Sequence, residues 1–117
     1  EYAYFDYPQA KDDLPNVGWM PTLSLQRVYE FNPAFTLTTE QEKQHILGVE
    51  ATIWGESVKD LFRAFYMTYP RALALSEVGW TQMPQRSWQA FVDRLEGQLS
   101  YLWHQGVNYR VPVELAN

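Results

Sequence analysis

The run Ile46-Leu47-Gly48-Val49-Glu50-Ala51-Thr52-Ile53-Trp54-Gly55-Glu56 decides how the rest of the chain is read. Its apolar residues fall on alternate positions. Leu47, Val49, Ala51 and Ile53 form one set; Gly48, Glu50, Thr52, Trp54 and Glu56 form the other, which is not apolar except for Trp54. A period of two places these sets on opposite faces of a strand. Such a strand lies between a layer of helices and a polar interior. A barrel of parallel strands has that arrangement, with helices outside and functional side chains at the carboxyl ends of the strands.

The flanking sequence extends this reading. Tyr2-Ala3-Tyr4-Phe5-Asp6-Tyr7 is rich in residues that suit a pleated strand, and Pro8 ends it. Pro8, Pro15, Asn16, Gly18 and Pro21 mark 8–22 as loop. Leu25, Val28 and Tyr29 fall at i, i+3 and i+4 and predict a short helix within 23–31, stopped by Asn32-Pro33. Thr39-Glu40-Gln41-Glu42 is a capping-box pattern for a turn or two of helix. Ser57, with Asp60 three residues on, marks another helix start, and Leu61, Phe62, Phe65, Tyr66 and Tyr69 form its stripe. Pro70 interrupts that helix because it lacks a backbone donor, and a second run covers about 71–79. Ser87 caps the clearest helix, about 88–104, whose stripe is Trp88, Phe91, Val92, Leu95, Leu99 and Leu102. Gly106 suits its C-terminal cap. Trp88, Trp103 and the aromatics of 61–69 are assigned to the core.

Strand, helix, strand, helix, helix is the order of an α/β protein with a right-handed parallel crossover. Two strands are too few for a parallel sheet, which is normally covered on both faces. The pattern therefore reads as part of a larger α/β protein, mostly helical by residue count. No composition shift divides it, so 1–117 is taken as a single piece with no internal boundary. The start at Glu1-Tyr2-Ala3-Tyr4, with no Met and no signal-like stretch, fits a processed terminus or a piece of a longer chain.

Composition excludes several function classes. The 117 residues carry 14 acidic and 9 basic side chains, for a net charge of −5. No excess of Lys and Arg can displace counterions, which argues against a nucleic-acid partner. No apolar run approaches the ~20 residues of a membrane span. With no cysteine there is no disulfide, thiolate metal site or Cys nucleophile. His45 and His104 are solitary, so no metal site is expected, and no cofactor is implied.

Aromatics make up 16% of the chain, and two of them stand at strand ends. Each strand closes with an aromatic two residues before a carboxylate: Tyr4 with Asp6, and Trp54 with Glu56. An aromatic face offers apolar area to the C–H face of a pyranose, and a neighbouring carboxylate accepts charge-assisted hydrogen bonds from hydroxyls. Simpler roles compete. A strand-end Tyr or Trp also serves as core or rim packing. An Asp or Glu past a strand also caps a helix, a rival that is stronger for Asp6 than for Glu56, since Ser57 is the better cap. Glu50, mid-strand, needs a partner if it is buried.

Five segments, in order, resemble one family. The run 46–56 resembles the last barrel strand of the family-20 glycoside hydrolases, the β-N-acetylhexosaminidases. Tyr69-Pro70-Arg71-Ala72-Leu73-Ala74-Leu75-Ser76-Glu77-Val78-Gly79-Trp80 resembles the helix that follows it. Ser24-Leu25-Gln26-Arg27-Val28-Tyr29-Glu30-Phe31-Asn32-Pro33 is similar to the segment before that strand. Tyr4-Phe5-Asp6 is similar to a Tyr-x-Asp strand end, and Phe91-Val92-Asp93-Arg94-Leu95 with Gly106-Val107-Asn108-Tyr109-Arg110 to the closing helix and tail.

The resemblance implies the C-terminal end of a (β/α)8 TIM barrel: strand 7, helix 7, strand 8, helix 8 and a terminal helix. It implies an exo-acting enzyme that removes terminal β-linked N-acetylglucosamine or N-acetylgalactosamine from glycans. The implied mechanism is retaining and substrate-assisted, an exception to the two-carboxylate scheme. Tyr4 matches the tyrosine that hydrogen-bonds the acetamido carbonyl. Asp6 matches an aspartate on the outer hydroxyls, Trp54 a wall of the acetamido pocket, and Glu56 a carboxylate on the 4- and 6-hydroxyls. The family's acid and orienting aspartate form an Asp-Glu pair after His-x-Gly-Gly. No Asp-Glu or Gly-Gly dipeptide occurs here, and Asp12-Asp13, in a loop among prolines, is no substitute. All matched segments lie downstream of that motif, so the pair is expected in a part that precedes this chain, and the isolated piece is expected to be inactive. The remainder of the barrel is then its partner, and open strand edges predict self-association without it. The resemblance favours a periplasmic or secreted setting. Two alternatives stay open: a small non-catalytic carbohydrate-binding or interaction module, and a scaffold whose aromatics are all core.

Overall fold

A computed structural model describes residues 2–13 and 19–116; the loop residues Pro15, Asn16 and Gly18 lie outside them. Five α-helices follow one another, and each starts where a side chain can satisfy an orphan backbone donor or where proline makes one unnecessary. Helix α1 (Leu25–Tyr29) begins after Ser24, whose hydroxyl accepts from the Arg27 amide at 3.1 Å. Helix α2 (Glu40–Lys43) has the full capping box, with Thr39 and Glu42 each accepting from the other's amide. Helix α3 (Leu61–Thr68) is capped by Asp60, which accepts from the Arg63 amide at 2.7 Å. The cap is thus Asp60 rather than Ser57, because Gly55–Ser57 is already wound into a 3₁₀ turn. Helix α4 (Arg71–Trp80) restarts directly after Pro70. Helix α5 (Trp88–His104) is capped by Ser87. It stops at Gly106, whose φ of +74° frees the Gly106 and Val107 amides to close on Trp103 and Leu102.

The two expected strands shrink to a single parallel bridge between Tyr4 and Thr52 among the described residues. The Phe5 amide donates to the Thr52 carbonyl at 2.7 Å, and the Thr52 amide to the Ala3 carbonyl at 2.9 Å. The parallel sense is the expected one. The ladder stops there because the Tyr7 amide turns back onto the Tyr4 carbonyl, which curls the chain out of register. The pairing also has no third run beside it, and parallel pairing is weak without flanking neighbours.

Helix α4 runs through the centre of the core. Its Ala74, Leu75 and Val78 meet Leu25, Val28 and Tyr29 of α1 and Phe91, Leu95 and Leu99 of α5. Tyr29, Trp88 and Phe91 form a ring cluster with centroids 5.0–5.6 Å apart. Phe5 enters this core from the first run, and Val49 and Ala51 lie against it from the second. The apolar face predicted for 47–53 therefore does turn toward helix, but Leu47 stays fully exposed and Ile53 partly so. A cleft of about 690 Å³ separates this run from α4.

Two core assignments fail. Phe62 of α3 and Trp103 of α5 are exposed, as is Leu61 on the same stripe as Phe62. Their helices turn other residues inward, notably Met67 of α3 and Leu99 of α5. Glu50 is exposed as well and needs no buried partner.

At Gly79 helix and run touch, since a Cβ there would stand 3.0 Å from Val49 Cγ2. Gly79→Val is expected to destabilise the full-length parent protein by about 1–3 kcal/mol through this overpacking. Thermal unfolding checks it, and an unchanged transition would mean that the run simply yields.

Candidate functional site

The bridge sets the ends of both runs side by side. Tyr4 stands on it and is 39% exposed, its ring 5.4 Å from that of Tyr7. Phe5, the next residue, is buried on the other side, as alternation requires. The Tyr2 ring stacks on Phe31 at 5.2 Å beneath the Arg27 guanidinium.

Asp6 lies in the turn after the bridge and is only 4% exposed. Among the described residues its Oδ1 has no hydrogen-bond partner, and neither has the buried Oγ1 of Thr52. A buried carboxylate oxygen without a donor is costly, so such an atom marks a place where a donor from outside belongs. Trp54 is 56% exposed and leads into the 3₁₀ turn Gly55–Ser57, which carries the exposed Glu56. Asp6 and Trp54 each follow the bridge by two residues. Among the described residues no hydrogen bond, ion pair or ring contact joins Trp54 or Glu56 to Tyr4 or Asp6. The bridge thus brings the run that carries Tyr4 and Asp6 next to the run that carries Trp54 and Glu56, with Tyr4 opposite Thr52, and both aromatics are exposed.

Two polar groups under this site went unread in the sequence. Arg71 is completely buried at the start of α4. It donates to the carbonyls of Phe5 and Met67, to Tyr7 at 2.8 Å and to Leu23 at 3.1 Å. Burial pulls its pKa down to about 9, against the pull of the Asp13 and Asp6 carboxylates, so it stays a cation at neutral pH. The signal was present. Arg71 falls on the same helical stripe as Ala74, Leu75 and Val78, and a charge on a buried stripe must be paired.

Asp13 is the second, 2% exposed. It accepts from the Gln9 amide at 2.9 Å, the Tyr66 hydroxyl at 2.8 Å and Arg110 Nη1 at 3.3 Å. Burial, with this hydrogen bond to Asp13, raises the Tyr66 phenol above its usual range. Gln9 reaches on to the Tyr66 carbonyl at 2.7 Å, so the loop after Asp6, helix α3 and the C-terminal tail are tied together. No local pattern separates Asp13 from its exposed neighbour Asp12.

Residues 1–83 match the family described as "Glycosyl hydrolase family 20, catalytic domain". A β-hexosaminidase of Akkermansia muciniphila is 42% identical over 102 residues, which is 87% of this chain and 20% of that protein. One of Porphyromonas gingivalis is 29% identical over 110 residues, 94% of this chain and 14% of its own length. The chain thus spans about a fifth or less of these two relatives. Among solved structures, the family-20 exo β-N-acetylglucosaminidase of Vibrio harveyi, in complex with N-acetylglucosamine, superposes with a TM-score of 0.83 at 33% identity. That match covers 95% of this chain and 18% of the enzyme. The family-20 β-N-acetylhexosaminidase of Streptomyces coelicolor gives 0.82 at 27% identity, covering 96% and 22%. These neighbours are TIM-barrel enzymes, and a small, mostly helical chain with no sheet among its described residues is consistent with a portion of such a barrel. The chain belongs to glycoside hydrolase family 20.

Proposed function

We propose that the parent protein is an exo-acting β-N-acetylhexosaminidase, and that residues 1–117 form, as one undivided piece, strand 7 through the terminal helix of its barrel. The observation that supports this is the parallel Tyr4–Thr52 bridge in a family-20 chain, which joins the run that carries Tyr4 and Asp6 to the run that leads into Trp54 and Glu56. The complex of the Vibrio harveyi relative with N-acetylglucosamine supports the choice of sugar.

In this reading Trp54 walls the acetamido pocket and Glu56 accepts from the 4- and 6-hydroxyls. Asp6 Oδ1, which lacks a donor among the described residues, takes one from an outer hydroxyl of the sugar. Tyr4 donates to the acetamido oxygen and orients it. That oxygen attacks the anomeric carbon as the glycosidic C–O bond breaks, and a glutamic acid protonates the departing oxygen. Water then opens the oxazolinium at the same carbon and returns a proton to the glutamate, with net retention. The glutamic acid and the aspartate that steers the acetamido group come from a part of the parent outside these residues.

The test is turnover of a chromogenic N-acetyl-β-glucosaminide by the full-length parent and by isolated 1–117. The parent is expected to cleave it and the isolated piece is not. A silent parent overturns the hexosaminidase reading. An active fragment overturns the outside location of the acid. The same fragment is expected to self-associate in sedimentation, since Leu47, Leu61, Phe62 and Trp80 are exposed. A monodisperse monomer would contradict that.

A further inference from the structure

We infer that Arg71 is a positioning residue for the turn that carries Tyr4 and Asp6, an inference that rests on reading those two as sugar contacts. Its fork reaches the carbonyls on both sides of Asp6: Nη2 donates to Phe5, and Nη1 to Tyr7 at 2.8 Å. Clamping both carbonyls fixes the Phe5–Asp6 peptide plane and the Tyr7–Pro8 plane one residue beyond Asp6, which limits where the carboxylate between them can point. The same guanidinium is anchored at its other edge. Nε donates to the Met67 carbonyl at 3.1 Å and Nη1 to that of Leu23 at 3.1 Å. The turn is thereby referenced to the end of α3 and to the lead-in of α1. A planar fork of five donors holds several acceptors in fixed directions, whereas a lysine ammonium offers three rotatable donors on a flexible stem.

Position explains why a charge is kept here. Arg71 Cζ also lies 5.0 Å from the Phe5 ring, so the residue between Tyr4 and Asp6 is gripped at backbone and side chain together. Asp6 supplies counter-charge without a hydrogen bond to Oδ1, which leaves that oxygen available to a hydroxyl.

Arg86 provides an internal control. It too gathers carbonyls, from Phe31 at 2.6 Å, Val78 at 3.2 Å and Thr81 at 3.2 Å. None of these lies in the turn at Asp6 or beside Trp54 and Glu56. The two arginines do similar chemistry and differ in what they hold.

The experiment uses the full-length parent and a chromogenic N-acetyl-β-glucosaminide, assayed well below each variant's melting temperature. Arg71→Lys is expected to lower kcat/KM by about 10- to 100-fold, the size of effect that a misplaced contact group produces. Arg86→Lys is expected to lower the melting temperature and leave kcat/KM within about twofold, as remote sites behave independently. Combining Arg71→Lys with Asp6→Asn is expected to cost little beyond Asp6→Asn alone, because the two act as a unit. Wild-type kcat/KM in Arg71→Lys, or full additivity with Asp6→Asn, overturns the inference. If Arg71→Lys does not fold, Arg71→Gln, which keeps two donors without a buried charge, is measured in its place. Failure of both to fold marks Arg71 as purely structural and also overturns it. Inactivity of the wild-type parent is a separate result, visible before any variant is made, and removes the hexosaminidase reading itself.

Discussion

Tyr4→Phe in the full-length parent is expected to lower kcat by about 10²–10³-fold, the usual loss for one preorganised donor at a reacting oxygen. KM should change little. The substitution removes one hydroxyl and keeps the ring, which is already supported by Tyr7 at 5.4 Å and by the bridge to Thr52. Packing and fold should therefore survive. The hydroxyl matters most when the acetamido oxygen has to be held in line and its electrons begin to move. An interaction that strengthens only on the way to the transition state appears in kcat rather than in ground-state binding. Steady-state kinetics decide the matter. A rise in KM at constant kcat would assign Tyr4 to substrate binding alone.

Asp13→Ala should produce the largest stability loss, about 3–5 kcal/mol, the range for breaking a buried charged network by removing one partner. Three donors lose their acceptor at once: the Gln9 amide, the Tyr66 hydroxyl and Arg110 Nη1. Arg71 loses the leading carboxylate that supports its charge. The segment 9–13 would then rest on the Gln9 side chain for its tie to α3 and on the exposed Asp12 for its tie to the tail. Asp12, whose side chain is 82% exposed, makes only a 3.3 Å contact to Arg110, so Asp12→Ala is expected to stay within about 0.5 kcal/mol of wild type. Denaturant unfolding of the full-length parent compares the two. Equal losses at Asp12 and Asp13 would show that the network is held by Arg110 and Tyr66 without the buried carboxylate.

The helices were legible because their signals are local. Ser87, Gly106 and the stripe from Trp88 to Leu102 delimit α5 within a few consecutive turns, and the structure places that helix at Trp88–His104. The capping box at Thr39 is equally local and equally present. The parity of 47–53 correctly turned Val49 and Ala51 toward α4. It overstated the strands, since alternation reports which faces differ and not whether a ladder has neighbours. Phe62 and Trp103 were misassigned to the core for a related reason. An apolar stripe says that a face is to be covered, and what covers it need not be in the same 117 residues.

Sequence alone determined the limits of α5, the capping box at Thr39 and the two aromatic–carboxylate pairs, because each is written in neighbouring residues; the family resemblance was legible because five such local segments follow in order. Only the tertiary structure decided that the two runs meet at Tyr4 and Thr52, 48 positions apart in the chain, and that α3 starts from Asp60 and not Ser57. It alone separated Asp13 from Asp12 and revealed the hold of Arg71 on both sides of Asp6. Burial of a polar group depends on partners far away in sequence. Gln9, Asp13, Tyr66 and Arg110 meet only when the chain closes on itself, and no local pattern records that they will.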